Sequence, residues 1–168
     1  MSHICKSIFP PINTNYMEYE QLKLDNQICF PVYAASRLII RQYQPLLEKL
    51  GVTYPQYLVL MVLWEHGPQP VGDISRRLIL NTNTLTPLLK RLEGQGLIRR
   101  RRDDSDERKV VVSLTDQGDQ LRHKAALIPE NLAKGLMDSD FEPASLIELK
   151  HQLEALIDKM VRHYQEEE

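Results

Sequence analysis

Apolar residues step along the first third of the chain at Ile28, Val32, Ala35, Ile39, Tyr43, Leu46, Leu47 and Leu50. Three- and four-residue spacings describe one face of a helix, predicted here from about Asp25 to Leu50. Pro31 fits only a first turn, so the regular helix should begin near Phe30 or kink there. Pro45 should kink or break it after Gln44, and Gly51 is placed to close it. Thr53-Tyr54-Pro55 opens a second helix, with Thr53 or Tyr54 as cap, that runs through Trp64 and stops at His66-Gly67-Pro68. Val71 to Leu80 is a short amphipathic helix through Val71, Ile74, Leu78 and Ile79. Asn81 to Gln95 is another, capped by Thr82 or Asn83, with Leu85, Leu88, Leu89 and Leu92 inward and Gly94 and Gly96 at its end.

The period then changes. Gly96-Leu97-Ile98-Arg99-Arg100-Arg101 is short and extended, Arg102 to Arg108 is a charged turn, and β-branched Lys109-Val110-Val111-Val112-Ser113-Leu114 reads as a returning strand. The two make a hairpin. A fifth helix should run from Thr115 to about Leu136 with a bend at Pro129. A last one should run from Glu142 or Pro143 to Tyr164. Residues 1 to about 20, with Pro10-Pro11 and no periodicity, read as a flexible leader containing Cys5, and Met17 is an alternative start.

Composition narrows the class. The chain has 168 residues, 42% hydrophobic and 26% charged, as in an ordinary globular protein. Its net charge of -2 hides an asymmetry: Pro70 to Ser113 holds ten Lys/Arg against six Asp/Glu, and the remainder is acidic. A basic block in an acidic chain points to a local anionic partner. The apolar run Tyr57–Trp64 is far short of the roughly twenty residues of a membrane span. The N-terminus lacks an apolar signal core, so a cytoplasmic protein without membrane contact is expected. Two cysteines make no disulfide framework. No glycine-rich phosphate loop, Gly-x-Ser-x-Gly elbow or His-Glu-x-x-His occurs, and the five histidines are scattered. No enzyme, cofactor or metal is therefore predicted.

Two short helices, a tight turn and a basic hairpin follow the order of a winged helix-turn-helix, whose second helix enters the major groove of DNA. Thr82, Asn83, Thr84, Thr86 and Pro87 start that helix with small polar groups able to reach base edges and phosphates. Lys90 and Arg91 follow toward the backbone. Arg101, Arg102 and Arg108 in the hairpin suit phosphates or a narrow minor groove. The plain alternative, that Arg99 to Arg102 is a solvated face, weighs evenly on charge alone.

The residues Asp106-Glu107-Arg108 followed by Val112-Ser113-Leu114-Thr115, with Leu85-Thr86-Pro87-Leu88-Leu89-Lys90-Arg91-Leu92-Glu93, resemble the MarR family of dimeric bacterial transcription regulators over about Leu24 to Ala126. The resemblance implies that Arg108 enters the minor groove and that Asp106 supports the wing. It also implies a mainly α fold with a small β-hairpin wing, in an intertwined homodimer built from the N- and C-terminal helices on a pseudo-palindromic double-stranded operator. The expected division is a leader over 1–20, a dimerisation and sensor helix over 21–50, a DNA-binding domain over 51–114 and dimerisation helices over 115–168.

Within that family the chain is similar to the OhrR-type repressors that sense organic hydroperoxides. Asp25-Asn26-Gln27-Ile28-Cys29-Phe30, Tyr33-Ala34-Ala35-Ser36-Arg37, Tyr43 and Thr53-Tyr54-Pro55-Gln56-Tyr57 carry the likeness. It implies Cys29 as redox sensor and Tyr33, Tyr43 and Tyr54 as its pocket. A cysteine at a helix start meets free N–H groups and the positive end of the dipole, which favour thiolate, and peroxide converts thiolate to sulfenic acid. No Lys, Arg or His stands within four residues of Cys29, and a buried core cysteine is the plain alternative. Tyr43 lies about 21 Å along a straight helix from Cys29, so contact between them requires the other subunit. No cysteine follows Cys29. The sulfenic acid would therefore condense with a low-molecular-weight thiol or over-oxidise rather than form the intersubunit disulfide of two-cysteine relatives, and Cys5 is disfavoured as its partner. Relatives usually carry Asp-Ser-Gly where this chain has Asn81-Thr82-Asn83, which alters the expected operator preference. A repressor controlled by a bound aromatic or phenolic ligand is the competing reading. A thiol peroxidase leaves the basic hairpin unexplained.

Overall fold

The computed structural model describes residues 19–103, 105–137 and 142–166. The expected leader up to residue 18, with Cys5 and Met17, lies outside the described residues. Two single-turn 3-10 helices, Glu20–Leu22 and Leu24–Asn26, precede α1 (Cys29–Glu48). The helix starts within one residue of Phe30, as Pro31 predicted, while Asn26 and Gln27 ahead of it turn their side chains back onto the carbonyls of Glu20 and Gln21. Pro31 falls in the first turn, as expected. Pro45 does not break the helix, contrary to its usual effect of about 3 kcal/mol. The last turn buries Leu47 and packs Tyr43, Leu46 and Leu50 on the core, which offsets the lost hydrogen bond. Gly51, at φ 72, ends the segment while the Val52 N–H reaches back to the Leu47 carbonyl at 3.2 Å.

Helix α2 (Tyr54–His66) begins at Thr53, whose N–H donates to Gln56 Oε1 at 2.8 Å. It buries Gln56, Tyr57, Val59, Leu60, Val62 and Leu63 and so forms the centre of the molecule. A two-residue strand β1 (Gln69–Pro70) leads into α3 (Val71–Leu78). This helix stops two residues before the expected Leu80, since Ile79 adopts left-handed backbone at φ 53 and is exposed rather than inward. In α4 (Thr82–Gly94) the cap is Asn81, not Thr82 or Asn83: its Oδ1 accepts from the Thr84 N–H at 2.8 Å. Leu85, Leu89 and Leu92 are buried.

Strands β2 (Ile98–Arg102) and β3 (Val110–Leu114) pair antiparallel with Arg100 opposite Val112, and β1 pairs on the far side of β3. The expected two-stranded hairpin is thus a three-stranded sheet of order β1-β3-β2. Pro70 is tolerated because β1 is an edge. The single helix expected from Thr115 to Leu136 is two helices, α5 (Asp116–Ala125) and α6 (Ile128–Met137). Pro129 has no N–H for the Ala125 carbonyl, so the break falls ahead of it. The last helix, α7, spans Pro143–Glu166.

Among the described residues Leu47, Val59, Leu60, Leu63, Ile74, Leu85, Leu89, Leu92, Ile98 and Val112 are the large side chains that lose essentially all contact with solvent. The core is therefore that of α2, α3, α4 and the sheet, with α1 joining through its C-terminal half. Outside it, Val32, Leu38, Ile39 and Ile40 of α1 and Ile147, Leu149, Leu156, Ile157 and Met160 of α7 stay exposed. Among the described residues no helix is long and apolar enough to cross a membrane.

Candidate functional site

The first turn of α4 projects Thr82, Asn83 and Thr84 into solvent, with Pro87, Lys90 and Arg91 also exposed and Thr86 half-buried. Asn81 holds the free N–H of Thr84, so the hydroxyls of Thr82 and Thr84 need not cap the helix. A cleft of about 690 Å³ separates this helix from the wing. Thr82, Thr86 and Leu89 form one wall, Arg100, Arg108, Lys109 and Val110 the other, and Arg76 at the end of α3 adds a further cation. Arg102, on the last position of β2, is exposed beyond it.

The wing tip is organised by two aspartates. Asp106 accepts from the backbone N–H of Arg108 at 3.1 Å and from its Nε at 3.3 Å, and lies 3.7 Å from Lys109 Nζ. The Arg108 side chain is 94% exposed against 29% for Asp106, so the guanidinium is aimed outward from a seated carboxylate. Asp103, absent from the sequence-based expectations, takes the N–H groups of Ser105 and Asp106 and the Ser105 hydroxyl. Those bonds hold its carboxyl below the usual carboxylate range. An aspartate two residues before a serine in a turn was the available signal. A second unexpected pair joins the end of α4 to β2: Glu93 Oε1 accepts from the Arg100 N–H at 3.1 Å, and Oε2 from its Nε at 2.8 Å and its Nη2. The Arg100 side chain keeps the Glu93 carboxyl below its ordinary range.

Cys29 is the first residue of α1, and its thiol is exposed. Ile28, ahead of it, offers no side-chain cap, although the Phe30 N–H in that first turn donates to the Gln27 carbonyl at 3.1 Å. Tyr33, one turn on, is 58% exposed, and the Arg37 guanidinium lies over its ring at 5.6 Å. The other two expected pocket tyrosines are elsewhere. Tyr43 and Tyr54 meet with ring centroids 4.9 Å apart, and Tyr57, not singled out from the sequence, sits 6.1 Å from Tyr43 and 6.0 Å from Trp64. Burial pushes all three phenols above the ordinary tyrosine value, and Tyr43 is raised further by Tyr54 and Tyr57. At neutral pH they are therefore protonated hydrogen-bond donors. Helix α1 is uninterrupted between Cys29 and Tyr43, which sets them about 21 Å apart at 1.5 Å per residue. Within one chain, Cys29 and Tyr33 stand together and Tyr43 and Tyr54 stand together, but the two pairs do not meet. Beside Tyr54 a cleft of about 310 Å³ opens between α1 and α2, lined by Ile40, Leu47, Val52 and Pro55.

A helix pair followed by a β2–β3 wing, with β1 ahead of the pair completing the sheet and basic side chains on the face that helix and wing both present, defines a winged-helix DNA-binding protein. Comparison with known proteins makes the class specific. The family model "Transcriptional regulator SarA/Rot" matches residues 41–125. The organic hydroperoxide resistance transcriptional regulator of Bacillus subtilis is 46% identical over 143 residues, 85% of this chain and 95% of the relative. Reduced AbfR bound to DNA superposes with a TM-score of 0.68 at 38% identity, covering 84% of this chain and 97% of that one. AbfR, whose structure is also known from Staphylococcus epidermidis, has been seen overoxidised on DNA as well, with a TM-score of 0.67 at 39% identity. Escherichia coli MarR, at 21% identity and a TM-score of 0.64, shares the fold. The chain belongs to the MarR family of winged-helix transcriptional regulators. It is a DNA-binding transcriptional regulator.

Proposed function

We propose that this chain is a cytoplasmic, homodimeric repressor that senses organic hydroperoxides through oxidation of Cys29 and then releases a pseudo-palindromic operator. The observation that carries the reading is the division of the sensor: an exposed thiol at one end of α1 and three protonated phenols beside the other. A second copy with its α1 antiparallel to the first would bring Cys29 of each chain to the Tyr43 and Tyr54 of the other. It would also cover the exposed apolar residues of α1 and α7. The 46% identical relative, named for organic hydroperoxide resistance, supports the choice of oxidant. The division into 21–50, 51–114 and 115–168 follows: sensor helix, DNA-reading domain, dimerisation helices.

In the chemistry, the Cys29 thiolate attacks the terminal oxygen of the hydroperoxide. An S–O bond forms, the O–O bond breaks, and the alkoxide leaves and takes a proton from solvent. Sulfur gives up two electrons and becomes a sulfenic acid, whose oxygen the phenols can hydrogen-bond. A low-molecular-weight thiol then displaces water to give a mixed disulfide. Added bulk at the α1 interface rotates the heads and breaks simultaneous contact with two half-sites. On DNA, Thr82, Asn83, Thr84, Thr86 and Pro87 meet bases and nearby phosphates and Lys90 and Arg91 the backbone. Arg102 and Arg108 enter the groove beside the wing, with Asp106 as support.

A second reading has an observation of its own. Tyr57, Met61, Trp64, Arg122 and His123 line an open cleft of about 470 Å³ between α2 and α5, a setting that suits an aromatic or phenolic effector. Fluorescence anisotropy of an operator duplex separates the two. Wild type should release DNA on cumene hydroperoxide, while Cys29→Ser binds equally and does not respond. A serine variant that responds fully removes Cys29 as the sensor.

A further inference from the structure

Four arginines in a row, Arg99 to Arg102, make β2 the most basic strand of the molecule, but the four are not equivalent. Alternation along the strand puts Arg100 on the face of buried Ile98, toward α4, while Arg99, Arg101 and Arg102 are exposed. There Glu93, the next-to-last residue of α4, takes both its guanidinium and its backbone N–H. The backbone bond matters because β2 is an edge strand, its neighbour β3 lying on one side only. Arg100 nonetheless lines the cleft shared with Thr82, Thr86 and Arg108. One carboxylate thus fastens the base-reading helix to the wing and holds back one cation facing the cleft.

We propose that Glu93 is a positioning residue for DNA recognition: by clamping Arg100 it sets the spacing between α4 and the wing and keeps Arg100 from binding phosphate. The proposal rests on α4 and the wing being the DNA-contacting elements. Its consequence is specificity. An arginine free to find any phosphate strengthens binding to every sequence, whereas a clamped one leaves discrimination to the side chains of α4 and to Arg108. Two effects of losing Glu93 therefore oppose each other: looser placement of the wing weakens the operator complex, and the released cation strengthens non-specific binding.

The test measures affinity against salt for the full chain on an operator duplex and on a scrambled duplex of equal length. Glu93→Gln is expected to tighten binding to the scrambled duplex and to steepen its salt slope by about 0.9 for each head bound, the value for one further phosphate contact. The operator-to-scrambled affinity ratio should fall about tenfold, a typical penalty for one lost element of base readout. A merely structural role would lower both affinities together and leave the slope alone. The exchanged pair, Glu93→Arg with Arg100→Glu, keeps the ion pair and the net charge and should return the slope to wild type. That variant also carries the test if Glu93→Gln does not fold. An unchanged slope in Glu93→Gln, or a steep slope retained in the exchanged pair, overturns the proposal. Arg108→Ala, run alongside, reports on the wing itself: unchanged operator binding there would remove the DNA-surface reading independently of Glu93.

Discussion

Gly118, in the first turn of α5, has no room for a side chain. A methyl group built on it would lie 2.0 Å from the Leu97 carbonyl oxygen, 2.9 Å from the carbonyl carbon and 3.2 Å from Leu114 Cδ2. An ordinary carbon–oxygen contact is about 3.3 Å or more, so helix and strand must part by more than about 1 Å. The carbonyl cannot turn aside freely, because it accepts the Thr115 N–H at 3.1 Å. The helix is tied as well: the Gly118 N–H donates to Thr115 Oγ1 at 3.1 Å and its carbonyl accepts from Trp64 Nε1 at 2.9 Å. Gly118→Ala should therefore sacrifice about two hydrogen bonds at about 1 kcal/mol each. Overpacking beside buried Leu97 adds about 1–2 kcal/mol. The total is about 3–4 kcal/mol, or a melting temperature lower by about 10 °C for a domain of this size. Thermal unfolding by circular dichroism at one fixed protein concentration measures it, since association would make the midpoint concentration-dependent. Gly72→Ala is the control: a methyl there meets nothing within 4 Å and should be neutral or slightly stabilising. A Gly118→Ala protein that melts with the wild type would refute the close packing of α5 on the Leu97 carbonyl.

The remaining predictions concern strain and the phenols. Ile79 is a β-branched residue at φ 53 and is 61% exposed, so Ile79→Gly should relieve about 1–2 kcal/mol of backbone strain against about 0.5–1 kcal/mol of glycine entropy. A midpoint raised by a few degrees is expected, and a lowered one would mean that Ile79 makes contacts that outweigh its strain. Tyr43, Tyr54 and Tyr57 have folded values raised above 10.0, so the folded state keeps protons that the unfolded state has released. Stability should be flat on this account below about pH 10 and fall as pH rises through the folded values. Tyr54→Phe should blunt that fall in alkaline denaturation followed at 295 nm, because it removes one phenol and eases the two it repels. An unaltered alkaline profile would contradict the cluster.

Much of this arrangement was legible in the chain because local rules and packing agreed. Thr53-Tyr54-Pro55 announced the start of α2, and the switch from three-and-four spacing to Val110-Val111-Val112 announced β3. Asp106 stood out by resemblance and Arg108 also by its place in a basic hairpin, and their contact spans only two residues. Where expectations failed, tertiary contacts outweighed local preference. Of the kink or break expected at Pro45, the break does not occur, because the burial of Leu47 carries α1 past it. Gln69-Pro70 has no strand character, and only the free side of β3 makes it one. The Glu93–Arg100 clamp was hidden because it joins the end of a helix to the middle of a strand, where no periodicity relates the two residues. The place of Cys29 at a helix start and its distance from Tyr43 were legible from the helix alone, whereas the meeting of Tyr43 with Tyr54 depends on the packing of α1 on α2, at the far end of the helix from the thiol.

The separation of Cys29 from the phenols makes oxidation of one residue and release of DNA a single linked event in the proposed account. The most direct measurement takes aliquots from one hydroperoxide titration and reads both the mass of the Cys29 peptide and the operator affinity. With a low-molecular-weight thiol present, the account predicts that the fraction of Cys29 carrying the mixed disulfide and the fraction of DNA released rise together, and that neither changes in Cys29→Ser. Release of the operator while Cys29 remains a free thiol, or complete oxidation of Cys29 with the operator still bound at full affinity, would contradict it.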